Sequence, residues 1–273
     1  LPALAEWSAV LEESKVVGRP GDYKPLILDS RSRLYLYRYW DYERTLADFI
    51  KGRLRNIEGK NNRCDISEED IPQVRESLSR LFPSTQDDDG GDTDWARIAA
   101  VTAFLNRFCV ICGSPGTGKT TVVAKVLALL LEQSKGKELK IALAAPTGKA
   151  AFRLQESIRK NREGLASPHA IKAAIPDNAT TIHRLLGSLR NSPYFRFNRG
   201  NPLPFNVVVI DEASMVDLPL MSKLVQAMPP EARLILLGDR DQLSSVEAGA
   251  VLGDICGLGA AMPYSREFAS TLK

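Results

Sequence analysis

From Trp95 onward the hydrophobic pattern alternates between two periods. Short, mainly apolar runs fall at 108–112, 140–145, 206–210 and 233–237, and each is too short for a helix of its own. Stretches with apolar residues recurring every three or four positions follow at 119–133, 148–160, 217–227 and 247–256. Strand and helix in strict alternation predict a parallel sheet with helices on both faces. In such sheets ligands bind beyond the carboxyl ends of the strands. Each of the four predicted strands runs straight into a polar or glycine-bearing segment. Two stretches break the rhythm, "REGLASPHAIKAAIPDNAT" and "RNSPYFRFNRGNPLP". Both carry Pro and Asn with little periodicity and read as long loops of the kind that often carry binding function.

The first part of the chain reads differently. Residues 1 to about 83 mix a helical start, an extended segment and more helix, which predicts a small α+β domain. In "RLYLYRYW" an extended reading puts Leu34, Leu36, Arg38 and Trp40 on one face and Tyr35, Tyr37 and Tyr39 on the other. The tyrosine face is either part of a small core or a partner surface. Residues 84–94, "STQDDDGGDTD", contain no apolar residue and read as an acidic linker. As a metal loop the segment lacks the spacing of a calcium site. The predicted organisation is therefore an N-terminal domain at 1–83, a linker at 84–94 and an α/β domain at 95–273.

Composition narrows this picture only a little. Of the 273 residues, 44% are hydrophobic and 25% charged, which is ordinary for a globular chain. The net charge of +3 and pI near 8.6 permit a nucleic-acid partner without arguing for one. No apolar run approaches the length of a membrane span. The opening "LPALAEWSAVLEESK" has no basic region leading into an apolar core, so it does not read as a secretory signal. With no such signal, the four cysteines are expected to be reduced thiols in a cytoplasmic protein. Cys109 and Cys112 form a C-x-x-C inside a predicted strand, where residues three apart face opposite sides, so they read as core thiols. Cys64 and Cys256 are expected to have no companions.

The chemistry lies after the strands. "GSPGTGKT" and the Thr after it supply Gly113, Ser114, Pro115, Gly116, Thr117, Gly118, Lys119, Thr120 and Thr121. The segment matches G-x-x-x-x-G-K-[ST] in full, between an apolar strand and a helix, as a phosphate-binding loop requires. Its backbone N–H groups and the helix N-terminus suit phosphate oxygens. Lys119 would neutralise the β- and γ-phosphates of ATP, and Thr120 would ligate Mg²⁺. After the third strand, "VVVIDEAS" places Asp211 to hold Mg²⁺ through water and Glu212 to orient and deprotonate an attacking water. After the fourth, "LLGDRDQLSSVEAG" offers Gln242, which can donate to a γ-phosphate and accept from that water, with Asp239 and Arg240 beside it. After the second, "APTGKAA" starts a helix at Pro146 and Thr147, with Lys149 in its first turn; its N–H groups suit a second anion or need only the Thr147 cap. "TTIHRLLG" adds Thr181 and His183 at another helix start. These fit a polynucleotide backbone, although a lone His is often structural.

The order of GSPGTGKT, APTGKAA, TIHRLLG, VVVIDEAS and LGDRDQLSSVEAGAVLGDI resembles superfamily 1 DNA helicases of the RecD type, the α subunits of exodeoxyribonuclease V. The match is strong over about 95–257, and "RLYLYRYWDYERTLADF" is similar to the family's N-terminal domain. The resemblance implies a RecA-like P-loop NTPase fold and an ATP hydrolase that moves 5′ to 3′ on single-stranded DNA. It also implies assembly with RecB-like and RecC-like subunits, the N-terminal domain docking on the latter, in double-strand break repair and recombination. By motif match it assigns ATP phosphates to Gly113–Thr121, Mg²⁺ and the catalytic water to Asp211 and Glu212, and γ-phosphate sensing to Gln242. Pro146, Thr147, Lys149, Thr181 and His183 become candidates for the DNA path. Two positions depart from the family. Ala96 stands where the family has an adenine-reading glutamine, and the sequence stops at Lys273 before the motifs of a second RecA-like domain. A chain without those motifs is expected to bind nucleotide, hydrolyse it weakly and not unwind DNA. The competing classes are a P-loop kinase or NTP-gated switch that ignores DNA, and an assembly module whose ATP site is regulatory.

Overall fold

The computed structural model describes residues 3–54, 67–83, 94–114, 116–239, 242 and 251–257. The predicted linker, Cys64, Pro115, Arg240, Asp241 and everything after 257 lie outside those residues, apart from Asp94.

The chain opens with helix α1 (Leu4–Glu13) and strands β1 (Val17–Gly18), β2 (Leu26–Leu28) and β3 (Leu34–Leu36). β1 pairs parallel with β2, and β2 antiparallel with β3. The β2–β3 turn is organised by Asp29, whose carboxylate accepts from the Arg31 and Arg33 backbone N–H groups, each at 2.9 Å, and pairs with the Arg33 guanidinium. The extended reading of residues 34–40 fails after Leu36: helix α2 (Tyr37–Leu54) begins at the next residue. Leu34 and Leu36, on one predicted face, are 44% and 50% exposed, whereas Tyr35 is half-buried. The helix wins because its stripe of Leu46, Phe49 and Ile50 buries against a later helix, which a short aromatic strand could not reach. Helices α3 (Ile71–Leu81) and α4 (Trp95–Leu105) follow, the latter capped by Asp94 accepting from the Arg97 N–H at 2.9 Å.

The α/β part then alternates: β4 (Phe108–Cys112), α5 (Lys119–Glu132), β5 (Ile141–Ala145), α6 (Gly148–Glu163), α7 (His169–Ala174), β6 (Ala179–Thr181), α8 (Ile182–Leu186), β7 (Val207–Ile210), α9 (Leu218–Ala227), β8 (Arg233–Gly238) and α10 (Val251–Cys256). The four predicted strands are present. The fifth, β6, and helix α7 occupy the segment predicted as the first long loop. β6 is three residues long and half-buried, with too little apolar character to stand out by periodicity, and pairing with β5 makes it a strand. All five pair in parallel, in the order β4-β8-β7-β5-β6.

Side-chain alternation divides the sheet's two cores cleanly. Cys109, Ile111, Leu143, Val207, Val209, Ile235 and Leu237 face one side, against α3, α4, α5 and α6. Phe108, Ala142, Ala144, Val208, Ile210, Leu234 and Leu236 face the other, against α2, α8, α9 and α10. The N-terminal helices thus join both cores: Val74, Leu78, Leu81 and Phe82 the first, Leu46 the second. Phe49 meets Phe108 edge to face at 6.2 Å. At the end of α2 the Arg53 guanidinium lies over the Phe49 ring and donates to the carbonyls of Pro229, Pro230 and Ala232. Burial, with the Arg107 cation nearby, pulls its pKa down to about 10. Below the sheet, Arg233 donates to the carbonyls of Ala103 and Asn106, tying β8 to the end of α4. The segment 190–204 has no regular element but is anchored, with Leu203 fully buried and Phe195 and Phe197 packed on the second core.

Two cysteine expectations need correction. Cys109 is a core thiol, but Cys112, on the opposite face as predicted, is exposed. Its sulfur lies 3.2 Å from that of Cys256, which therefore has a companion. Period two gave the face of Cys112 but not the helix that returns across it 144 residues later.

Candidate functional site

The sheet order positions the site. β8 lies between β4 and β7, with Cys112 opposite Gly238 and Ile210 opposite Leu236. The loops that follow these three strands therefore open side by side at the carboxyl edge. They are the ones carrying Gly113–Thr121, Asp211–Glu212 and Gln242.

β4 runs into Gly113, whose N–H donates to the Gly238 carbonyl at 3.2 Å, a link between the first and last of these loops. Gly116 and Gly118 take φ of +83° and +81°, a region costly to a residue with a Cβ, and this turn delivers the chain into α5. α5 begins at Lys119 with no side-chain cap on its first N–H groups, which leaves a bare helix N-terminus aimed at the loop. The Lys119 ammonium donates to the Gly113 and Ser114 carbonyls, the latter at 3.0 Å, and Thr117 donates to the Ser114 carbonyl at 2.8 Å. Thr120 is half-buried in the first turn. Thr121 is turned aside: its hydroxyl donates to Asn161 Oδ1 on α6 at 2.9 Å, which locks α5 to α6. Pro115 lies outside the described residues.

Asp211 directly follows β7, its N–H donating to the Ala144 carbonyl at 2.9 Å. Glu212 follows with φ of +51°, unusual for a residue carrying a long side chain, and donates its N–H to Asp211 Oδ1 at 2.9 Å. Such backbone strain concentrates at working sites. Here it turns the chain sharply out of the strand, so the two carboxylates do not follow the sheet's alternation. Burial raises the Asp211 pKa and the Glu212 charge adds to the rise; the Glu212 N–H and the Lys119 cation oppose it. A half-buried carboxylate in electrostatic contact with the loop lysine fits a divalent cation shared with a nucleotide. Among the described residues no three acidic, His or Cys side chains cluster as a self-sufficient metal site. Mg²⁺ usually takes one or two protein oxygens and completes its shell with phosphate and water, an arrangement in which the Asp211 carboxylate could serve.

Gln242 is exposed, and its N–H donates to the carbonyl of buried Asp239 at 3.4 Å. Beneath this loop, a Cβ on Gly238 would lie 2.3 Å from Leu252 Cδ2 of α10 and 3.3 Å from the Ser214 nitrogen. The strand end, α10 and the short 3-10 helix Ala213–Met215 are therefore packed to contact. The Ser214 hydroxyl is buried there without a hydrogen-bond partner among the described residues.

A second polar group forms at the other half of the same edge. β5 and β6 are neighbours, with Ala145 opposite Thr181. This sets the start of α6 (Pro146, Thr147, Lys149) beside the start of α8 (Thr181, His183). Both threonines are caps: Thr147 accepts from the Ala150 N–H at 3.2 Å and Thr181 from the Arg184 N–H at 3.3 Å. Thr147, Lys149, His183 and Arg184 are exposed, with the His183 ring 5.8 Å from that of Phe195. Sequence reasoning missed two features here, the Thr121–Asn161 link and the Cys112–Cys256 contact. Both join residues far apart in the chain, and no local pattern signals them.

A family profile described as an AAA domain matches residues 97–248. The chain is 44% identical over 243 residues to the RecBCD enzyme subunit RecD of Haemophilus influenzae, covering 88% of this chain and 36% of that protein. It is 42% identical over 259 residues to the RecBCD enzyme subunit RecD of Mycolicibacterium smegmatis, covering 93% and 42%. It is 38% identical over 190 residues to the ATP-dependent RecD2 DNA helicase of Deinococcus radiodurans, covering 64% and 23%. The chain thus spans less than half the length of these relatives. With a complete phosphate loop, a parallel sheet built around it and these similarities along most of its length, the chain belongs to the AAA domain family as a homologue of the RecD subunits.

Proposed function

We propose that this chain carries the nucleotide-binding half of an ATP-driven 5′–3′ DNA helicase subunit, working with RecB-like and RecC-like partners on DNA ends in repair and recombination. The observation that supports it most is the sheet order. It gathers three nucleotide-type loops at β4, β8 and β7 and puts a separate pair of helix starts, with exposed Lys149, His183 and Arg184, beside them at β5 and β6. A simple NTP switch needs the first group only.

In this reading ATP phosphates lie along the backbone of Gly113–Thr121. Lys119 leaves the Gly113 and Ser114 carbonyls to neutralise the β- and γ-phosphates. Thr120 and Asp211 would hold Mg²⁺, which when bound would supply charge neutralisation at the phosphate oxygens. Glu212, turned out of the strand by its left-handed backbone, accepts the proton of the attacking water. Gln242 contacts the γ-phosphate and passes its presence to the end of β8. Pro146, Thr147, Lys149, Thr181 and His183 line the path of the DNA backbone. The two capped helix starts contribute N–H groups there and Lys149 a cation. The N-terminal segment 1–83 provides the surface that meets the RecC-like subunit.

The test is ATP hydrolysis by the full-length protein with and without single-stranded DNA. Hydrolysis should rise with DNA and vanish in Lys119→Ala. DNA-independent turnover, or unwinding that persists in Lys119→Ala, would defeat the motor reading and favour the switch or assembly module.

A further inference from the structure

Cys112 is the last residue of β4, next to Gly113, and Cys256 is the last residue of α10; their sulfurs are 3.2 Å apart. Cys112 is exposed and Cys256 half-buried, so a small oxidant can reach the pair from solvent. Cys109, three residues before Cys112, faces the opposite core, and burial pushes its pKa up to about 12, which makes it inert as a nucleophile. The pair also lies at a mechanical junction. Gly113 N–H holds the Gly238 carbonyl, and Gly238 supports Leu252, one turn before Cys256 on the same helix.

We propose that Cys112 and Cys256 are a reversible redox modification site, at which a peroxide drives formation of a disulfide that staples α10 to the base of the phosphate loop. The peroxide O–O bond breaks as the Cys112 sulfur takes one oxygen, giving a sulfenic acid and one water. The Cys256 sulfur then attacks that sulfur, the S–O bond breaks and a second water leaves. Two thiols lose two electrons and two protons, and one hydrogen peroxide becomes two waters. A dithiol reductant reverses the bond by exchange.

The functional effect rests on the proposed ATP turnover. Lys119 must release the Gly113 and Ser114 carbonyls before it can serve a phosphate, so the contacts that hold the loop in shape change during each cycle. A staple at the residue preceding Gly113, anchored to the helix that supports the sensor strand, resists that change and slows turnover.

The full-length protein is reduced, treated with hydrogen peroxide, alkylated and digested, and its peptides are weighed. A peptide joining Cys112 to Cys256 is expected, with Cys109 still a thiol. DNA-stimulated ATP turnover should fall about tenfold in the oxidised protein, a gating effect, and return with dithiothreitol. Cys256→Ser and Cys256→Ala should each keep the turnover of the reduced protein and lose the reversible fall. Cys112 advancing to the sulfinic acid with Cys256 still alkylatable would overturn the proposal, as would a cross-link that leaves turnover unchanged. The cross-link is read by mass alone. A reduced protein that fails to hydrolyse ATP would therefore defeat the functional reading while the cross-link is still scored separately.

Discussion

Gly238 ends the strand between the two main halves of the nucleotide site, and its missing side chain is what lets Leu252 lie against it. Gly238→Ala should cost about 1–3 kcal/mol, because the fully packed leucine must move. Denaturant unfolding measures this. In a double-mutant cycle with Leu252→Ala, part of the cost should be recovered, since that change empties the space the new methyl needs. Ser214 gives the opposite expectation. Its hydroxyl is buried without a partner among the described residues, so Ser214→Ala should leave thermal stability unchanged or raised. A clear loss of melting temperature would mean that the hydroxyl has a partner. Glu212→Gln keeps the shape of the bend but cannot take a proton. Turnover in the full-length protein should fall about 10²–10⁴-fold while nucleotide affinity, measured by calorimetry, is retained. That these motifs would gather at one edge of the sheet was legible in the sequence because each sits directly after an apolar run. What could not be read is how they are constrained. The left-handed Glu212 and the diversion of Thr121 to Asn161 depend on where neighbouring elements come to rest.

At the scale of elements, α5 illustrates why the alternating pattern was so readable. From Val122 to Leu131 it is apolar apart from Lys125 and almost entirely buried, with Leu127 inaccessible to solvent, and it packs against α3, α4, α6 and α7. Leu127→Ala should destabilise by about 2–5 kcal/mol, seen as a lower denaturant midpoint. The elements that escaped prediction are those whose shape is imposed by partners: β6 by β5, and α2 by the packing of its later turns on α9. The Asp29 turn is a local device with a defined pH response. Hydrogen bonds from Arg31 and Arg33 and the Arg33 charge hold its carboxyl below the usual carboxylate range. A depressed pKa means that the ionised form supports the fold. The contribution is therefore present above the unfolded Asp pKa and lost as pH falls through the lowered one. Carboxyl chemical shifts followed by NMR should show Asp29 titrating below the usual aspartate range. Asp29→Asn should remove the effect.

For the molecule as a whole, the two cores matter more than the boundary suggested by the acidic stretch. α3 contributes three residues to the first core, Phe82 just after it a fourth, and α2 anchors in the second, so the N-terminal helices and the sheet have little to separate them thermally. A single cooperative transition is expected, with hydrogen exchange protecting α2 and α3 nearly as well as β7. An early, separate melting of residues 37–83 would contradict this. The sequence signal for a separate domain was compositional, and composition reports the connection between elements rather than the surfaces they bury.

The position of β8 also bears on how the protein is made. Among the described residues β4 pairs only with β8, which lies more than a hundred residues further along the chain and after the sheet's other strands. Once the ribosome has produced "FCVIC", at least another 120 or so residues must follow before β8 can pair with it, roughly ten seconds of synthesis. Through that interval the strand that will carry the phosphate loop is an apolar edge with unmet backbone groups, able to pair with another chain. The nucleotide site is then completed late, from segments far apart in the sequence that meet only after the sheet's middle strands have been made. Nascent chains stalled before Arg233 should be the aggregation-prone and chaperone-bound ones, and those stalled well after Gly238 should be the first to retain nucleotide.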